Sequence, residues 1–457
     1  MELVYGIKDR PPVRKLILSA FQQLLAVMAG TIAMPMVVGH GMSQSAALLG
    51  AGIGTIVYLL ITRFKSPVFL GSSFSFVGSL TAAFAGAASA SIGYFGIIIG
   101  AAFGGLVYVV LSIVTKHAGT KWIDKIAPPV IIGPTVAIIG LTLAPNAVAN
   151  LFQGSVIENG KAVASPYITL LCGLVTLFTS ICVSVYSKKL IKLIPFIIGI
   201  LAGYALASIF TIIGNSCDVD ALKVIDFSIF KEIKWIPDFA FVKAIKGIKE
   251  FESVGQAASY IGLVAAAFIP VSFVCFTEHI ADHKNLSFIT GQNLLEEPGL
   301  NRTLMGDGVG SMVGAFFGGC PNTTYGESIA CVAITRNASV VTIVTTAFLA
   351  IVVSFLSPII AFLSSIPSCV MGGVCMTLYG FIAVSGLKML QGVNLGDNKN
   401  LFVVSTILIS GIGGLALHFG NVTITSVATA LILGIIVNKI LSAKKEDKAA
   451  EAEKKSA

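Results

Sequence analysis

Charged residues are scarce in this chain. Only 11% of its 457 residues are Asp, Glu, Lys or Arg, whereas 55% are hydrophobic. Soluble globular domains carry about 25% charged residues, so the composition excludes that class. Residues 16–62 contain no charged side chain, and neither do residues 66–115. The chain is therefore predicted to be an all-α polytopic membrane protein, with apolar runs long enough for repeated crossings.

Two further absences exclude whole types of site. Eight cysteines are present, but no two of them are spaced as CxxC, so neither a zinc site nor a disulfide framework is indicated. No acidic metal-binding repeat such as DDxxD occurs, which argues against an intramembrane enzyme that uses paired acids. We therefore predict no enzyme activity, no metal and no cofactor.

Positive charge is distributed unevenly along the chain. The formal net charge is +8, and most basic residues fall in every second connection between apolar runs, as in Arg63/Lys65 and Lys188/Lys189. The exception is the loop at residues 215–254, which this count puts outside although it holds several lysines mixed with Asp and Glu. The intervening connections at residues 39–44 and 87–91 carry none. This is the positive-inside pattern, which predicts a multi-pass protein of the cell (inner) membrane with both termini in the cytoplasm. The same placement argues against nucleic acid as a partner and for membrane lipid.

The apolar runs predict fourteen membrane-spanning segments. Their approximate ranges are residues 16–38, 43–62, 67–88, 91–115, 123–145, 165–186, 190–214, 257–281, 302–319, 320–338, 340–364, 367–390, 401–418 and 423–441. Seven precede and seven follow a loop at residues 215–256, which we expect to be a folded extracytoplasmic cap. With an odd number in each half, structural repeats formed by residues 1–214 and 257–441 would be inverted relative to each other. Residues 442–457 are expected to form a charged cytoplasmic tail.

One stretch is unsuited to a membrane-crossing helix. Residues Cys320 to Ser328 read CPNTTYGES, which combines a proline, two threonines, a glycine and an acid. Non-helical backbone at membrane depth survives only where it is buried in protein or lines a cavity. A weaker copy of the pattern, SPVFLGSSFSF, opens the third segment at Ser66. Paired interruptions of this kind in two halves point to a transporter binding site, with each stretch leading from a short extended piece into a half-helix.

Two acids precede this stretch in the eighth segment. Glu278 and Asp282 are four residues apart, so they share one helix face with about 6 Å between their Cβ atoms. Two carboxyls this close in a low dielectric cannot both ionise cheaply, and one is expected to hold a proton near neutrality. Such a group is what a proton-coupled carrier needs. The alternative is that Asp282 faces the cytoplasm and pairs with Lys284.

The other acids and histidines in this region receive separate interpretations. Glu327 would lie at the start of a half-helix, whose N-terminus favours the ionised form, so it is expected to accept hydrogen bonds from substrate and to contribute to proton coupling. Asp307 is expected to cap the helix of the ninth segment. His279 and His283 lie off the face of Glu278 and are expected to reach the membrane interface.

The polar groups limit the substrate. Carboxylates accept hydrogen bonds, and backbone N–H groups near Phe74 and Gly326 donate them. Aromatic faces are available at Phe74, Tyr325 and Tyr379. No Lys or Arg lies deep in an apolar run where it could neutralise an anion. A small, flat, uncharged molecule such as a pyrimidine or purine base fits these groups.

Three further residues are candidates for lining the cavity: Gln23, Ser73 and Thr324. For Gln23 and its neighbour Gln22, an interhelical hydrogen bond is an equally good interpretation.

Several stretches match a known family in order along residues 6–440. They are DRPP, QQLLAVMAGTIAMP, LGSSFSF, the EH at 278–279, PGLNRTLMGDGVGS, GGCPNTTYGES followed by AITR, and PSCVMGGVCMTLYG. In these motifs the chain resembles the nucleobase–ascorbate transporters, and within that family most closely the bacterial uracil permeases. NTTYGE is specific within the family, because purine-type members usually carry a Gln-containing sequence there.

The resemblance implies a fold and an activity. The fourteen segments would form a core domain of about residues 16–115 and 257–364 and a gate domain of about residues 123–214 and 367–441. Segments 3 and 10 would contribute short central antiparallel strands. The implied activity is proton-coupled import of a nucleobase, most closely uracil, often by a homodimer. The implied site residues are substrate-binding carboxylates (Glu278, Glu327), backbone amide donors (Phe74, Gly326) and aromatic positions near the base (Tyr325, Tyr379).

Two positions depart from the uracil-permease pattern. That pattern has a His four residues after the first glutamate, where this chain has Asp282, as purine transporters do. It also has a His in the first segment where this chain has Gln23. A symporter of xanthine or another purine is therefore the alternative, and sodium remains open as the driving ion. An anion carrier of the same fold is a remote alternative that a buried cation would favour.

Overall fold

The structure is a computed structural model of the chain. It describes residues 3–119, 128–158, 161–187, 191, 195–231, 235–419, 422–424 and 426–456. Helices form nearly all of the described regular structure, and six strands of two or three residues make three small antiparallel pairs.

The first part of the chain runs from the N-terminus to the connecting loop. Its elements are α1 (Val13–Val38), α2 (Gln44–Ile61), β1 (Leu70–Ser72), a single 3-10 turn (Phe74–Phe76), α3 (Val77–Ala85), α4 (Ala90–Ala118), α5 (Pro129–Asn150), β2 (Ile157–Glu158), β3 (Lys161–Ala162), α6 (Pro166–Tyr186) and α7 (Pro195–Cys217). The connecting loop then contains two 3-10 turns (Asp220–Leu222 and Phe227–Lys231) and α8 (Ala240–Ile248).

The second part of the chain begins with a helix of 37 residues. Its elements are α9 (Val254–Thr290), a turn (Leu295–Gly299), α10 (Leu300–Gly318), β4 (Asn322–Thr324), α11 (Gly326–Thr335), α12 (Val340–Ser354), α13 (Ser357–Ser365), α14 (Ser368–Met389), a 3-10 turn (Leu390–Gly392), α15 (Asn398–Ile412), β5 (Leu417–Phe419), β6 (Val422–Ile424) and α16 (Ser426–Ser456).

Eight of the described helices are long and apolar enough to cross a membrane, and four shorter apolar helical stretches accompany them. Several differ from the predicted segments. The segment predicted over residues 340–364 is two helices, α12 and α13. Pro358 has no N–H to donate to the carbonyl four residues earlier, so it is tolerated in the first turn of α13 and not inside a continuous helix. The segment predicted over 401–418 ends as a helix at Ile412 and continues into β5. The predicted starts at residues 123 and 190 lie outside the described residues.

Serine side chains fix where several helices begin. The Oγ atoms of Ser43, Ser89 and Ser253 accept hydrogen bonds from the backbone N–H groups of Ala46, Ile92 and Gln256, respectively. Each bond satisfies one of the N–H groups that a helix start leaves without an intrahelical acceptor. The polar caps therefore start α2, α4 and α9 at the ends of their apolar runs.

Glycines bring α2 and α10 into backbone contact. A Cβ atom added at Gly50 would lie 2.3 Å from the carbonyl oxygen of Gly314, and one added at Gly54 would lie 2.7 Å from that of Gly310. The glycines are four residues apart on both helices, so they form one matching face. Small residues at helix interfaces in membranes permit this close approach, which supplies van der Waals contact that apolar burial alone does not.

The helices pack in two groups. In one group α2 packs against α10 and α12, and α4 packs against α8, α9 and α10. In the other, α5 packs against α14 and α15, and α6 packs against α7 and α14. Fewer contacts join the two groups, mainly through α9. The candidate site lies where they meet.

Replacing Gly50 with alanine should destabilise the fold. The new methyl group would overlap a backbone carbonyl, so α2 and α10 must separate, and overpacking of this kind costs about 1–3 kcal/mol. We expect a lower apparent Tm for Gly50→Ala in detergent, measured by fluorescence-detected size-exclusion chromatography after heating. Gly262→Ala is the matched control, since a Cβ there meets no atom within 4 Å. Equal Tm values for the two variants would contradict the backbone contact.

Candidate functional site

Two short strands from distant parts of the chain cross at the centre of the site. β1 and β4 pair antiparallel, with Leu70 opposite Thr324, Gly71 opposite Thr323 and Ser72 opposite Asn322. The N–H of Ser73 extends the ladder by donating to the carbonyl of Pro321 at 2.9 Å. All six paired residues are buried. The pairing satisfies backbone groups that leave the helix inside the protein.

A cavity of about 490 Å³ lies beside this crossing. One wall comes from β4, the start of α11, the 3-10 turn after β1, and α9. The opposite wall comes from α5, α7 and α14, through apolar residues that include Val136, Phe196, Leu378 and Phe381. The volume is within the range of about 300–1,000 Å³ that is usual for small-molecule sites.

Three half-buried acids line the cavity: Glu278, Asp282 and Glu327. The hydroxyl of Ser75 donates to both carboxylate oxygens of Glu278, at 3.2 and 3.4 Å. The hydroxyl of Thr324 donates to Oδ2 of Asp282 at 2.8 Å. Hydroxyls from the two strand regions thus orient the acids of α9, and Asp282 faces the cavity.

Glu327 lies in the first turn of α11, which begins at Gly326. The first N–H groups of a helix have no intrahelical acceptor and carry the positive end of its dipole, so this position favours a carboxylate. A Cβ added at Gly326 would meet no atom within 4 Å, so the backbone there borders open space. The helix start therefore presents both an acceptor and backbone donors to the cavity.

Phe74 and Tyr379 occupy successive layers. Phe74 lines the cavity, and its ring makes an edge contact with Tyr379 at 5.9 Å between centroids. Tyr379 is 2% exposed and lies outside the lining residues. The structure therefore puts Phe74 against the cavity and Tyr379 behind it.

Tyr325 lies at the edge of the cavity, but its ring is buried. It is 5% exposed, and its ring occupies space beside α1 and β1 that side chains in place of two glycines would fill. A Cβ at Gly30 would lie 1.8 Å from the Tyr325 hydroxyl oxygen, and one at Gly71 would lie 2.8 Å from the ring. The two glycines make room for this ring, which anchors β4 against α1.

The remaining candidate residues separate into two groups. Ser73 and Thr324 line the cavity. Gln23 is 3% exposed and does not: its Nε2 donates to Oγ of Ser328 at 2.6 Å and to its carbonyl at 3.1 Å. The same Oγ accepts from the N–H of Phe69 at 3.0 Å. Gln23 thus joins α1, α11 and the approach to β1 in one buried network.

The interpretations of Asp307 and the two histidines were wrong. α10 begins at Leu300, and Asp307 is two turns inside it and only 1% exposed. Its Oδ2 lies 2.7 Å from Nδ1 of His279 and accepts from the hydroxyl of Thr323 at 3.1 Å. His279 is fully buried by exposed fraction. Asp307 therefore ties α9, α10 and β4 together instead of capping a helix.

His283 is also buried, with 1% of its surface exposed. Its Nε2 lies 2.9 Å from the hydroxyl oxygen of Tyr58, and its ring stacks on that of His279 with centroids 4.1 Å apart. Hydropathy ended the eighth segment near residue 281, but α9 continues to Thr290. Both histidines are therefore well inside the helix. An acid flanked by glycines within an apolar run, as in MGDGVGS, was the available sequence signal for Asp307.

The arrangement offers acceptors without a cation. The cavity is lined by three carboxyl groups, by hydroxyls and by helix-start backbone, and no Lys, Arg or His is among its described lining residues. Within the part of the chain that is described, no group of three or more His, Cys, Asp or Glu side chains is placed to hold a metal ion. Such a site suits a neutral molecule that has hydrogen-bond donors and a flat face.

Sequence comparison relates the whole chain to transport proteins. A family model described as the permease family matches residues 14–420. The uracil permease of Bacillus caldolyticus is 37% identical over 444 residues, which cover 96% of this chain and 94% of that protein. The uracil permease of Bacillus subtilis (strain 168) is 36% identical and covers 98% of this chain and 97% of its own length. That of Escherichia coli (strain K12) is 32% identical, over 96% and 94%.

Solved structures with little sequence identity share the fold. The murine Solute Carrier 26 family member A9 anion transporter, in its inward-facing state, aligns with a TM-score of 0.65 at 12% identity, over 96% of this chain and 69% of that chain. The transmembrane domain of a cyanobacterium bicarbonate transporter aligns with a TM-score of 0.60 at 14% identity, over 94% and 99%. The chain therefore shares the fold of these two proteins. The permease relatives and the long apolar helices show that it is an integral membrane protein. The family predicted from the motifs is confirmed, because the match extends along nearly the full length: the chain belongs to the permease family that includes the uracil permeases.

Proposed function

We propose that the protein is a proton-coupled symporter that imports a nucleobase, most specifically uracil, across the cell membrane. The observation that carries the proposal is the set of three carboxyl groups in one cavity whose described lining contains no cation. A site of this kind disfavours anions and favours a neutral ligand with N–H donors. The full-length relationship to uracil permeases supports the same substrate.

The hydrogen-bonding pattern of uracil matches the cavity. The base is flat and uncharged, and its ring carries N–H donors next to C=O acceptors. Glu278 and Glu327 would accept from the N–H groups. The N–H groups at the starts of the 3-10 turn and of α11, at Phe74 and Gly326, would donate to the carbonyls. The ring of Phe74 would contact the face of the base.

The three acids also supply a reason for proton coupling. With all three ionised and no cation beside them, a neutral substrate would leave their mutual repulsion uncompensated, and that repulsion is strong away from bulk water. A proton bound with the substrate relieves it. We assign this proton to Glu278, because Glu327 has the α11 N-terminus to stabilise its charge. Asp282, whose carboxylate accepts a hydrogen bond from Thr324, would be the second acid that takes part in binding this proton.

The packing of the helices supports alternating access by two bodies. The helix group of α1–α4 and α9–α13 would be the core domain, and that of α5–α7 and α14–α16 the gate domain, with the cavity between them. The lining extends to Ser184, Pro195 and Met389, at the ends of α6, α7 and α14. These ends adjoin the lysines at 188, 189 and 388, so by the positive-inside rule they face the cytoplasm. The cavity would then be open inward, and both termini would be cytoplasmic.

Asp282 favours one competing substrate. It stands where the uracil-permease pattern has a histidine, and it lines the cavity. An additional carboxyl acceptor would also suit xanthine, which carries more N–H donors than uracil. Xanthine is therefore the second candidate.

Uptake into proteoliposomes tests the substrate and the driving ion together. With labelled uracil and an imposed inward proton gradient, we expect accumulation above equilibrium that a protonophore abolishes. Excess unlabelled uracil should suppress the signal and excess xanthine should not. Stronger competition by xanthine would overturn the substrate assignment. Accumulation that follows a sodium gradient instead would overturn the assignment of the coupling ion.

The two glutamates should respond differently to neutralisation. Glu278→Gln should abolish uphill uptake driven by the proton gradient while retaining exchange of labelled for unlabelled uracil. Glu327→Gln should weaken uracil binding by about 10-fold or more, since a hydrogen bond to a charged group contributes about 1.5–3 kcal/mol. Uptake and equilibrium binding, measured on the same preparations, separate these effects.

Glu296→Gln is the matched control for both variants. Glu296 is an exposed acid in the turn between α9 and α10, away from the cavity lining. Its neutralisation should leave uptake and binding unchanged. The division of roles is wrong if Glu327→Gln, rather than Glu278→Gln, separates uptake from the proton gradient.

A further inference from the structure

A second, enclosed cavity lies behind the strand crossing. It has a volume of about 10 Å³ and lies between α4, α10 and β4. Its lining includes Tyr108 from α4, Asp307 and Ser311 from α10, and Asn322 and Thr323 from β4. A cavity needs about 10–15 Å³ to hold one water molecule. The space therefore accommodates a single water and nothing larger.

Three oxygen atoms at this cavity make no hydrogen bond of normal geometry with the described residues. They are Oδ1 of Asp307, Oδ1 of Asn322 and the hydroxyl of Tyr108. The three side chains are 1%, 2% and 4% exposed, so bulk water does not reach them. Leaving one buried polar group unsatisfied costs about 1–3 kcal/mol. Three at one point require a common explanation.

The neighbouring hydrogen bonds define what each atom can accept or donate. Nδ2 of Asn322 donates to the carbonyl of Gly50 at 3.1 Å, which fixes the amide so that Oδ1 is an acceptor. Oδ2 of Asp307 is occupied by His279 and Thr323, so Oδ1 is a second acceptor. The hydroxyl of Tyr108 can donate. The cavity thus presents two acceptors and one donor.

We propose that this cavity binds one water molecule, held by Asp307, Asn322 and Tyr108. The water donates one O–H to each Oδ1 and accepts the O–H of Tyr108. These three hydrogen bonds are the number that a buried water typically makes. They satisfy all three of these oxygens. A hard cation would need about six oxygen ligands, twice the number that these atoms supply.

The bound water joins α4 and α10 to the strand that builds the substrate cavity. Asn322 and Thr323 are buried residues of β4, and Thr324, Gly326 and Glu327 follow along the chain. Water on Oδ1 and Thr323 on Oδ2 make Asp307 a two-sided anchor for that strand. Tyr108 is accordingly a positioning residue that acts through the water, and this role does not depend on which substrate is carried.

A structure at a resolution that shows ordered waters tests the site directly. For the wild-type protein in sodium-free choline buffer, we expect one density peak about 2.5–3.0 Å from each of the three oxygens. An absent peak overturns the proposal. So does a peak that appears only with sodium and has about 2.4 Å contacts to five or more oxygens, since that is a cation.

Hydrogen–deuterium exchange of wild-type and Tyr108→Phe protein tests the positioning role. Removing the donor should raise amide exchange in the peptide that contains β4 by about fivefold, the factor that corresponds to about 1 kcal/mol for one hydrogen bond. Tyr94→Phe is the matched control, because Tyr94 is on the same helix but its hydroxyl contacts Lys243 at 3.2 Å, away from β4. Equal β4 exchange in both variants and wild type overturns the role. The wild-type density still decides whether water is present if Tyr108→Phe fails to fold.

Discussion

The structure depends on how backbone outside the helices is satisfied within the membrane. The backbone of β1 and β4 is buried away from bulk water, so each strand satisfies the other, and the pair can form only if α2, α10 and α1 approach closely enough. The glycines of α2 and α10 permit that approach, as do Gly30 and Gly71 around Tyr325. A site follows from this constraint, because each strand leads into a helix whose first N–H groups are available to a ligand.

Side-chain hydrogen bonds then orient the acids of the site. Ser75 and Thr324 come from the two strand regions and orient Glu278 and Asp282 on α9, while Gln23 and Ser328 hold the start of α11. Behind them, Asp307 and His279 join α9 to β4. Acids at the cavity surface and an acid in the layer behind it thus have different partners. The acids at the cavity surface can contact substrate, whereas Asp307 stabilises the packing of α9, α10 and β4.

The sequence predicts the site better than it predicts the contacts that support it. Hydropathy locates the long helices, and CPNTTYGES could be recognised as extended chain before a half-helix because its residues are unsuited to a membrane span. The membership of Glu278, Asp282, Glu327 and Phe74 in one cavity was also within reach, through helical spacing and the paired interruptions.

Lateral packing could not be predicted in the same way. His279 and Asp307 are 28 residues apart and meet only because α9 and α10 lie side by side. Tyr379 lies behind Phe74, and Gln23 bonds to Ser328. Both contacts depend on how each helix is rotated about its axis, which composition does not encode. The length of α9 beyond residue 281 was also not predicted, because hydropathy ends the segment before the polar sequence HKNLS, which is helical.

The central claim is that the acids beside the β1–β4 crossing bind a neutral nucleobase. A cryo-electron microscopy structure of the protein saturated with uracil tests it most directly. The account predicts density for the base against Phe74, with N–H groups toward Glu278 and Glu327 and carbonyls toward the helix starts. Density for uracil elsewhere, or an unchanged cavity at saturating uracil, would contradict it.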